Sequence, residues 1–315
     1  MITLDDINAA AARIAGSVRR TPLIEADHLK TPLPGDAQVA LKLELLQVTG
    51  SFKARGATNK LLTTDPDTLR KGIVAASGGN HGLATARAGH VFGVPVTIYL
   101  PGTATPSKIE KLRQWGADVH VIGSVWHEAN AAALEHVERT GAAYFHPFAD
   151  PHVVAGQGTV ALEILEQIPE VEVLLVAMGG GGLISGVATA IKALRPEIRV
   201  IGIEAEGCPV LLNALNAGRN IGLDRVTTSV ATMACAKTED PIFETVRDRV
   251  DSIVLVSDDE MLEAARWLWF EMGLSADLSG AAAVAALMYE RVGITAGERV
   301  CAIVCGAGPE GVTGT

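Results

Sequence analysis

Short runs of apolar, often β-branched residues alternate along this chain with longer segments rich in alanine. The short runs are typical of strands, and the longer segments are typical of helices. Several of the predicted strands are apolar along their whole length, as expected for parallel strands covered on both faces. The alternation therefore predicts an α/β fold with two open, twisted, mainly parallel sheets and helices on both faces. The predicted strands are Val39–Leu45, Gly72–Ser77, Val94–Leu100, Val119–Ile122, Leu174–Met178, Arg199–Glu204, Ile253–Val256 and Val300–Cys305.

Composition excludes several classes of protein. The chain has 315 residues, of which 48% are hydrophobic and 20% charged, so it can bury a sizeable core and is not expected to be disordered. A net charge of -10 without a cluster of Lys and Arg argues against nucleic-acid binding. The four cysteines form no CxxC pair, so neither a disulfide framework nor a zinc site is expected, and a reducing cytoplasm fits best.

The uncharged run Val173–Ile191, "VLLVAMGGGGLISGVATAI", is long enough to cross a bilayer. Its four consecutive glycines are unfavourable in a membrane helix, so we interpret the run as a strand, a turn and a helix of a soluble core. The N-terminal segment carries charges throughout and lacks the apolar stretch of a signal peptide. We therefore expect no membrane partner.

The chain contains no low-complexity linker and no internal repeat, so a second domain is expected to be inserted within the first. The predicted larger domain comprises residues 1–49 and 144–315, and the smaller inserted domain comprises residues 50–143. The segment Tyr144–Thr159, rich in Pro, Gly and Asp, is the predicted return crossover.

The turn "AMGGGGLISG" (Ala177–Gly186) joins a predicted strand to an apolar helix. Glycines let backbone N–H groups converge at a helix N-terminus, where a phosphate could bind without a cationic side chain. A tight strand–helix turn is the alternative, although four glycines exceed what such a turn needs. The run is not a nucleotide P-loop, and Ser185 breaks the dinucleotide fingerprint, so the phosphate is expected to belong to a smaller cofactor.

Two further turns follow predicted strands. In "ASGGNHGLATA" (Ala76–Ala86), Ser77 and Asn80 could bind an anion or a hydroxyl group, but helix capping is the favoured interpretation. For His81, a capping or core role is favoured over that of a base. In "CAIVCGAG", Cys301 is expected to be a structural core residue, whereas Cys305 lies where sheet enzymes present side chains to ligands.

Lys53 lies in "VTGSFKARG" with no acidic residue within five positions, and Arg55 is its nearest charged neighbour. Taken alone, a solvated surface lysine is the favoured interpretation.

The sequence lacks the motifs of two other classes of enzyme. The histidines of "HEANAAALEH" do not have the HExxH spacing of zinc proteases, and no GxSxG motif of serine hydrolases is present.

Taken together and in order, "TGSFKARGA", "SGGNHG", "HPFADPHVVAGQGT" and "GGGGLISG" resemble the fold-type II pyridoxal-phosphate enzymes. The resemblance extends from "RTPL" at Arg20–Leu23 to "CGAG" near the C-terminus and is greatest to the serine/threonine dehydratase (ammonia-lyase) and serine racemase group.

The resemblance implies roles for individual residues. Lys53 would carry pyridoxal 5'-phosphate covalently and act as the catalytic base, and Phe52 would pack beside the ring. Gly179, Gly180, Gly181, Gly182 and the amide of Leu183 would hold the phosphate, Asn80 would bind the ring hydroxyl, and Cys305 would face the pyridine nitrogen. Ser77, also assigned as catalytic, would bind the substrate carboxylate together with Gly78, Asn80 and His81. We expect burial and Arg55 to depress the pKa of the lysine.

A neutral thiol at the pyridine nitrogen favours loss of a β-substituent over transamination. The resemblance therefore implies a lyase that converts L-threonine, L-serine or another 3-hydroxy amino acid to a 2-oxo acid and ammonium. Racemisation is less favoured because Gly78 stands where related racemases have a second serine. A β-replacement synthase and a phosphate-binding protein without catalysis are competing hypotheses.

Further departures from the family concern the metal and the substrate. Glu204 is followed by "AEGCPVLL", which lacks the acidic pair of many relatives, so no metal site is expected. The segment Thr227–Asp240 replaces the usual Ala-Asp-Gly loop, and Asp277 replaces a glutamate. The family also implies a cytoplasmic homodimer, and the short segment after Cys305 leads us to expect no regulatory domain and no feedback by end products.

Overall fold

The computed structural model describes residues 1–313. Its strands form two sheets, as the alternating pattern predicts. The strands are β1 (Leu23–Glu25), β2 (Gln38–Lys42), β3 (Ile73–Ala76), β4 (Val96–Leu100), β5 (Asp118–Val121), β6 (Ala143–Tyr144), β7 (Val173–Ala177), β8 (Arg199–Ala205), β9 (Ser252–Val256) and β10 (Arg299–Ile303). The helices are α1 (Leu4–Ile14), α2 (Lys53–Thr63), α3 (Pro66–Leu69), α4 (Asn80–Phe92), α5 (Pro106–Gln114), α6 (Trp126–Thr140), α7 (Pro151–Gln167), α8 (Gly182–Leu194), α9 (Val210–Ala217), α10 (Asp240–Arg249), α11 (Asp258–Met272), α12 (Leu278–Met288) and α13 (Glu310–Thr313).

The larger sheet has six strands in the order β1-β2-β10-β7-β8-β9. Strands β2, β10, β7, β8 and β9 run parallel, and β1 pairs antiparallel with β2. Every residue of β7 is buried, because helices cover the central strands on both faces. The core of this lobe is correspondingly rich in Val, Ile, Leu and Ala.

The smaller sheet has four parallel strands in the order β5-β4-β3-β6. Its core is separate from that of the larger sheet and includes Ile98, Leu100 and Phe145. We propose that the two sheets define the two domains, with the first boundary at the predicted 49/50 and the second a residue or two after the predicted 143/144, since Phe145 packs in the smaller core. Tyr144 pairs with Val74 and is therefore the last residue of the smaller sheet before the chain returns.

Strand ends differ from the prediction by a few residues, and two short strands were not predicted. Strand β2 stops at Lys42 because Glu44–Leu46 turn into a 3-10 helix. Strands β1 and β6 have only three and two residues, too few for a periodic pattern to be visible. Half of the predicted crossover is helical, because Asp150 caps α7 by accepting the backbone N–H of His152 at 2.8 Å.

The apolar run Val173–Ile191 forms β7, the glycine turn and most of α8. None of the helices between residues 1 and 313 combines the length and the apolar character needed to span a bilayer.

Candidate active site

Lys53 is the first residue of α2 and lies between the segment that follows β6 and the end of β10, a place between the two sheets called the cleft below. Its Nζ donates a hydrogen bond to the carbonyl of Pro147 at 2.6 Å and lies 5.1 Å from the centroid of the Phe52 ring. Although the residue as a whole is half-buried, desolvation of its amine lowers the pKa of Lys53 to about 8, against a smaller opposing effect of the Cys305 and Cys235 thiols. The amine is thus closer to its reactive neutral form than that of an ordinary lysine.

The segment before Lys53 is held by the end of the larger sheet. Ser51 forms an isolated antiparallel bridge with Gly306, and the N–H of Phe52 donates to the carbonyl of Cys305 at 3.3 Å. These bonds bring together Lys53 and Cys305, which lie far apart in the sequence. The structure therefore joins the lysine turn and the last predicted turn in one site.

Arg55 does not supply the cation that was expected to depress the pKa of Lys53. Its guanidinium is buried and forms ion pairs with Glu44 and Glu163, each at 2.7 Å. The positive charge is therefore balanced locally, and burial alone accounts for the lowered pKa of Lys53. The sequence could not reveal this, because both carboxylates lie more than ten positions from Arg55.

The four glycines after Met178 form the turn between β7 and α8. Gly181 caps α8 with a φ of +87°, and a Cβ atom on Gly180 would lie 2.4 Å from the Phe148 ring. Close packing thus requires glycine at these positions independently of any ligand. At the same time, the first N–H groups of α8 have no acceptor within the helix, so they are suited to an anion.

Neither Ser77 nor Asn80 caps α4, contrary to the favoured interpretation of their turn. The cap residue is Gly79, whose N–H donates to the Ser77 hydroxyl at 3.3 Å. Asn80 is the first residue of α4, and its Nδ2 donates to Oδ2 of Asp277 at 3.1 Å. Because Asp277 precedes α12 of the larger lobe, this bond connects the two sheets across the cleft.

His81 is a core histidine, as favoured from the sequence. The residue is 3% exposed, and its Nε2 donates to the carbonyl of Phe145 at 2.9 Å. Its Nδ1 has no partner among the described residues. Burial, together with the nearby Lys53 ammonium, lowers the pKa of His81 to about 3, so the ring is neutral at physiological pH.

Cys305 lies just beyond the carboxyl end of β10, where its Sγ donates to the carbonyl of Ser279 at 3.4 Å. Burial raises the pKa of its thiol far above the ordinary value, so the group is neutral. Cys301 is fully buried within the strand, and burial raises the pKa of its thiol to about 12, consistent with the predicted structural role. All four cysteines fall within the described residues and carry free thiols.

Three residues at the site had no role assigned to them from the sequence. Asp277 caps α12 by accepting the N–H of Gly280 at 2.6 Å while it holds Asn80, and burial raises the pKa of its carboxyl. Phe148 packs on the glycine turn, and Cys235 lies near enough to influence the Lys53 amine. Three sequence signals pointed to them: the His-Pro-Phe tripeptide before Ala149, the altered segment Thr227–Asp240 that contains Cys235, and the aspartate at position 277 in place of a glutamate.

Glu204 caps a helix. Its two carboxylate oxygens accept the N–H groups of Leu211 and Leu212 at the start of α9, each at 2.9 Å. Burial raises the pKa of this carboxyl to about 7. Across residues 1–313 the structure contains no group of three metal-ligating side chains.

Comparison with known proteins identifies the family. A family model described as "Pyridoxal-phosphate dependent enzyme" matches residues 14–306. The chain is 42% identical over 306 residues to an L-threonine ammonia-lyase of Thermotoga maritima, covering 97% of this chain and 75% of that protein. It is 36% identical over 318 residues to a phenylserine dehydratase of Ralstonia pickettii, covering 99% and 95% of the two chains.

Among solved structures, a maize serine racemase superposes with a TM-score of 0.91 at 32% identity, covering 97% of this chain and 93% of that one. The superposition therefore covers nearly the whole chain. Because the family model covers nearly all of the described residues, this chain belongs to the family of pyridoxal-phosphate-dependent enzymes.

Proposed function

We propose that this enzyme is an ammonia-lyase that removes water from a 3-hydroxy amino acid and releases a 2-oxo acid and ammonium. The observation that carries the proposal is the pairing of a desolvated Lys53 amine with a neutral, buried Cys305 thiol in one cleft. The relatives named as a threonine ammonia-lyase and a phenylserine dehydratase support the same class of reaction. They differ in substrate, so the β-substituent is open.

The residues of the cleft fit pyridoxal phosphate. The glycine turn has no room for side chains, since a Cβ atom on Gly182 would lie 2.6 Å from the carbonyl of Phe148, while its N–H groups open toward an anion. The Nδ1 of His81 is a buried acceptor without a protein partner within residues 1–313, as expected beside a ligand. Lys53 supplies the amine, and Cys305 supplies an uncharged group.

We assign the cofactor-binding roles accordingly. Lys53 would hold the cofactor covalently, with Phe52 beside the ring, and the amides of Gly179, Gly180, Gly181, Gly182 and Leu183 would hold the phosphate. Asn80, oriented by Asp277, would bind the ring hydroxyl, and Cys305 would face the pyridine nitrogen. When bound, pyridoxal phosphate supplies an electron sink for the pair of electrons left at the substrate's α carbon.

The chain's own groups would then bind the substrate and move its protons. Ser77, Gly78, Asn80 and His81 lie at the start of α4, where N–H groups and the helix dipole favour the substrate carboxylate. Released from the cofactor, the Lys53 amine would take the α proton. The β-hydroxyl leaves as water, and a water is consumed when the resulting enamine hydrolyses, so the net products are the 2-oxo acid and ammonium.

A substrate screen tests this proposal. The purified protein should show the visible absorbance of the bound cofactor, lose it on borohydride reduction, and form 2-oxo acid and ammonium in equal amounts from L-threonine, L-serine, 3-phenylserine or another 3-hydroxy amino acid. A Lys53→Ala variant should be colourless and inactive. If no 3-hydroxy amino acid gives a 2-oxo acid, the proposal is wrong.

The same screen separates the competing activities. Racemisation would appear in chiral amino-acid analysis, and β-replacement would appear as a new thioether or thiol when sulfide is added. Racemisation is disfavoured because Gly78 offers no side chain as a second base, and a Cβ atom there would lie 3.0 Å from Cδ2 of Leu100.

By resemblance to the family, we further propose that the protein is a cytoplasmic homodimer. Light scattering of the purified protein would test whether it is a dimer.

A further inference from the structure

Next to the site lies a group of four ionised side chains that the reaction does not use. Lys42, Glu44, Arg55 and Glu163, here called the buried charge cluster, have side chains that are 0%, 0%, 1% and 16% exposed. Charged side chains are seldom buried to this extent unless they are paired. Two cations and two anions leave the cluster with no net charge.

Arg55 is bound by two carboxylates in fork geometry. Its Nε and Nη2 donate to the two oxygens of Glu44 at 2.8 and 2.7 Å. Its Nη1 and Nη2 donate to the two oxygens of Glu163 at 2.7 and 2.9 Å. Such bidentate pairs fix orientation as well as distance, and a lysine cannot reproduce them.

Lys42 completes the cluster from β2. Its Nζ donates to Glu163 at 2.6 Å, to Oε1 of Gln167 at 2.8 Å and to the carbonyl of Thr21 at 2.8 Å. The cluster thereby connects three parts of the fold: the end of β2 with the turn that follows it, the start of α2, and the middle of α7.

The place of Arg55 in α2 relates the cluster to the site. Arg55 lies two residues after Lys53, and the helix begins at Lys53 itself. Within the described chain no side chain caps this helix, because its cap residue is Phe52. The direction of its first turn must therefore be set by other contacts. The bidentate hydrogen bonds of Arg55 to Glu44 and Glu163 are such contacts. Gly56, the next residue, also packs closely on α7: a Cβ atom added to it would lie 2.4 Å from Nε2 of Gln157.

Stability alone is a weak reason for such a cluster, because buried ion pairs can often be replaced by apolar residues without loss of stability. We propose that Arg55 is a positioning residue for Lys53: the buried charge cluster fixes the first turn of α2 against β2 and α7, and its balanced charge keeps an uncompensated cation away from the Lys53 amine. The inference rests on the proposed role of Lys53 as the cofactor-bearing lysine.

Charge changes of opposite sign distinguish this role from a merely structural one. Four titratable groups face or influence the Lys53 amine, namely Cys305, Cys235, His81 and His146, and all remain in the variants. Glu44→Gln leaves a net positive cluster and should lower the pKa of Lys53, whereas Arg55→Gln leaves a net negative cluster and should raise it. At an effective dielectric constant of about 20, one charge about 10 Å away shifts a pKa by roughly one unit, so we expect shifts of about one unit or less. The double variant Glu44→Gln/Arg55→Gln is neutral again and should restore the pKa.

The measurement uses the full chain stripped of cofactor. The rate at which pyridoxal phosphate is captured at Lys53 is followed by visible absorbance between about pH 6 and 10, a range that brackets the lowered lysine pKa, and the adduct is located by borohydride reduction and mass spectrometry. The pH midpoint reports the Lys53 amine, and the cofactor affinity reports its position. We expect opposite shifts of the midpoint in the two single variants and roughly tenfold weaker binding in both, on the scale of losing one charge-assisted hydrogen bond.

Two further variants control for unfolding. Arg55→Lys keeps the charge and loses the fork, so it should leave the midpoint unchanged and still weaken cofactor binding. Glu298→Gln is the matched control, because the Glu298 side chain is 16% exposed, as is that of Glu163, and accepts two hydrogen bonds from Arg199. Glu298 directly precedes β10, at the end of the strand away from Cys305. This variant should lower the melting temperature without changing cofactor capture.

The outcomes are separable. If Lys53 of the unaltered chain captures no cofactor, the proposed function and this inference both fail. If capture occurs but the single variants shift the midpoint in the same direction, or Arg55→Lys binds the cofactor as the unaltered chain does, the inference alone is wrong. Should Arg55→Gln fail to fold, the comparison of Arg55→Lys with Glu298→Gln still decides it.

Discussion

Cys301 in the middle of β10 and Cys305 just beyond its end are two buried thiols with different surroundings. Cys301 is enclosed by the core, whereas Cys305 lies at the cleft beside Ser279 and near Lys53. The two thiols have the same chemistry, but only Cys305 lies near Lys53. Substitution of each by serine therefore separates packing from function.

We predict that Cys301→Ser lowers stability and leaves the cofactor unaffected. A hydroxyl is costlier to desolvate than a thiol, and burying one in the core costs about 1–3 kcal/mol. Cys305→Ser should be nearly neutral in stability but should shift the visible spectrum of the bound cofactor, because a stronger hydrogen-bond donor replaces the thiol. Thermal melts and absorbance spectra of the two variants provide the check, and equal spectra for both would contradict the assigned place of Cys305.

Helix α8 illustrates how an element prepares a site. Its cap, Gly181, combines a φ of +87° with contact distances of 2.6 and 3.0 Å from an added Cβ atom to Ile242 and Leu211. Gly273, the C-cap of α11, has a φ of +65° and no described atom within 4 Å of an added Cβ. Both glycines have a left-handed backbone that a side chain would strain, but only Gly181 is crowded by neighbouring side chains and lies at the glycine turn.

Gly181→Ala should weaken cofactor binding, whereas Gly273→Ala should not. Both substitutions cost about 1–2 kcal/mol through the left-handed backbone. In Gly181→Ala the crowding must also displace the N-terminus of α8, so the convergence of its N–H groups is lost. Titration with pyridoxal phosphate, with inorganic phosphate as competitor, measures the difference, and the assignment of the phosphate to this turn would be wrong if both variants bound equally.

At the scale of the whole molecule, Glu204 couples stability to pH. Its carboxyl has a pKa of about 7 in the folded chain and an ordinary value of 4.5 when exposed. Between these values the folded chain holds the proton more tightly than the unfolded chain, so this group's contribution to stability falls as pH rises from about 4.5 to 7.

Glu204→Gln should remove that dependence. The free energy of unfolding of the variant, minus that of the unaltered chain, should increase from pH 4.5 to about 7 and be constant at higher pH. A constant difference is added at every pH, because glutamine has only one oxygen to accept the two N–H groups at the start of α9. The difference between the two proteins isolates Glu204 from His81, whose lowered pKa acts in the opposite direction. Denaturant unfolding at several pH values measures it, and a difference that is flat with pH would refute the assignment.

Much of the architecture followed from the sequence because its causes are local. Val173–Ala177 is apolar along its length and precedes glycines, and these features alone predict a buried parallel strand and a helix N-terminus at the glycine turn. The eight predicted strands are present with shifted ends. Strand β6 was missed because two residues carry no periodicity.

What the sequence by itself determined was the kind of fold, because apolar periodicity is a property of neighbouring residues. Through the resemblance of its motifs it also indicated the family's cofactor and the role proposed for Lys53. What only the tertiary structure decided was how distant residues meet. Arg55 is neutralised by Glu44 and Glu163, and Asn80 is held by Asp277 from the opposite lobe rather than capping its own helix. The physical reason is that charge balance and desolvation depend on distances in space, and the chain sets those distances only when both sheets have packed.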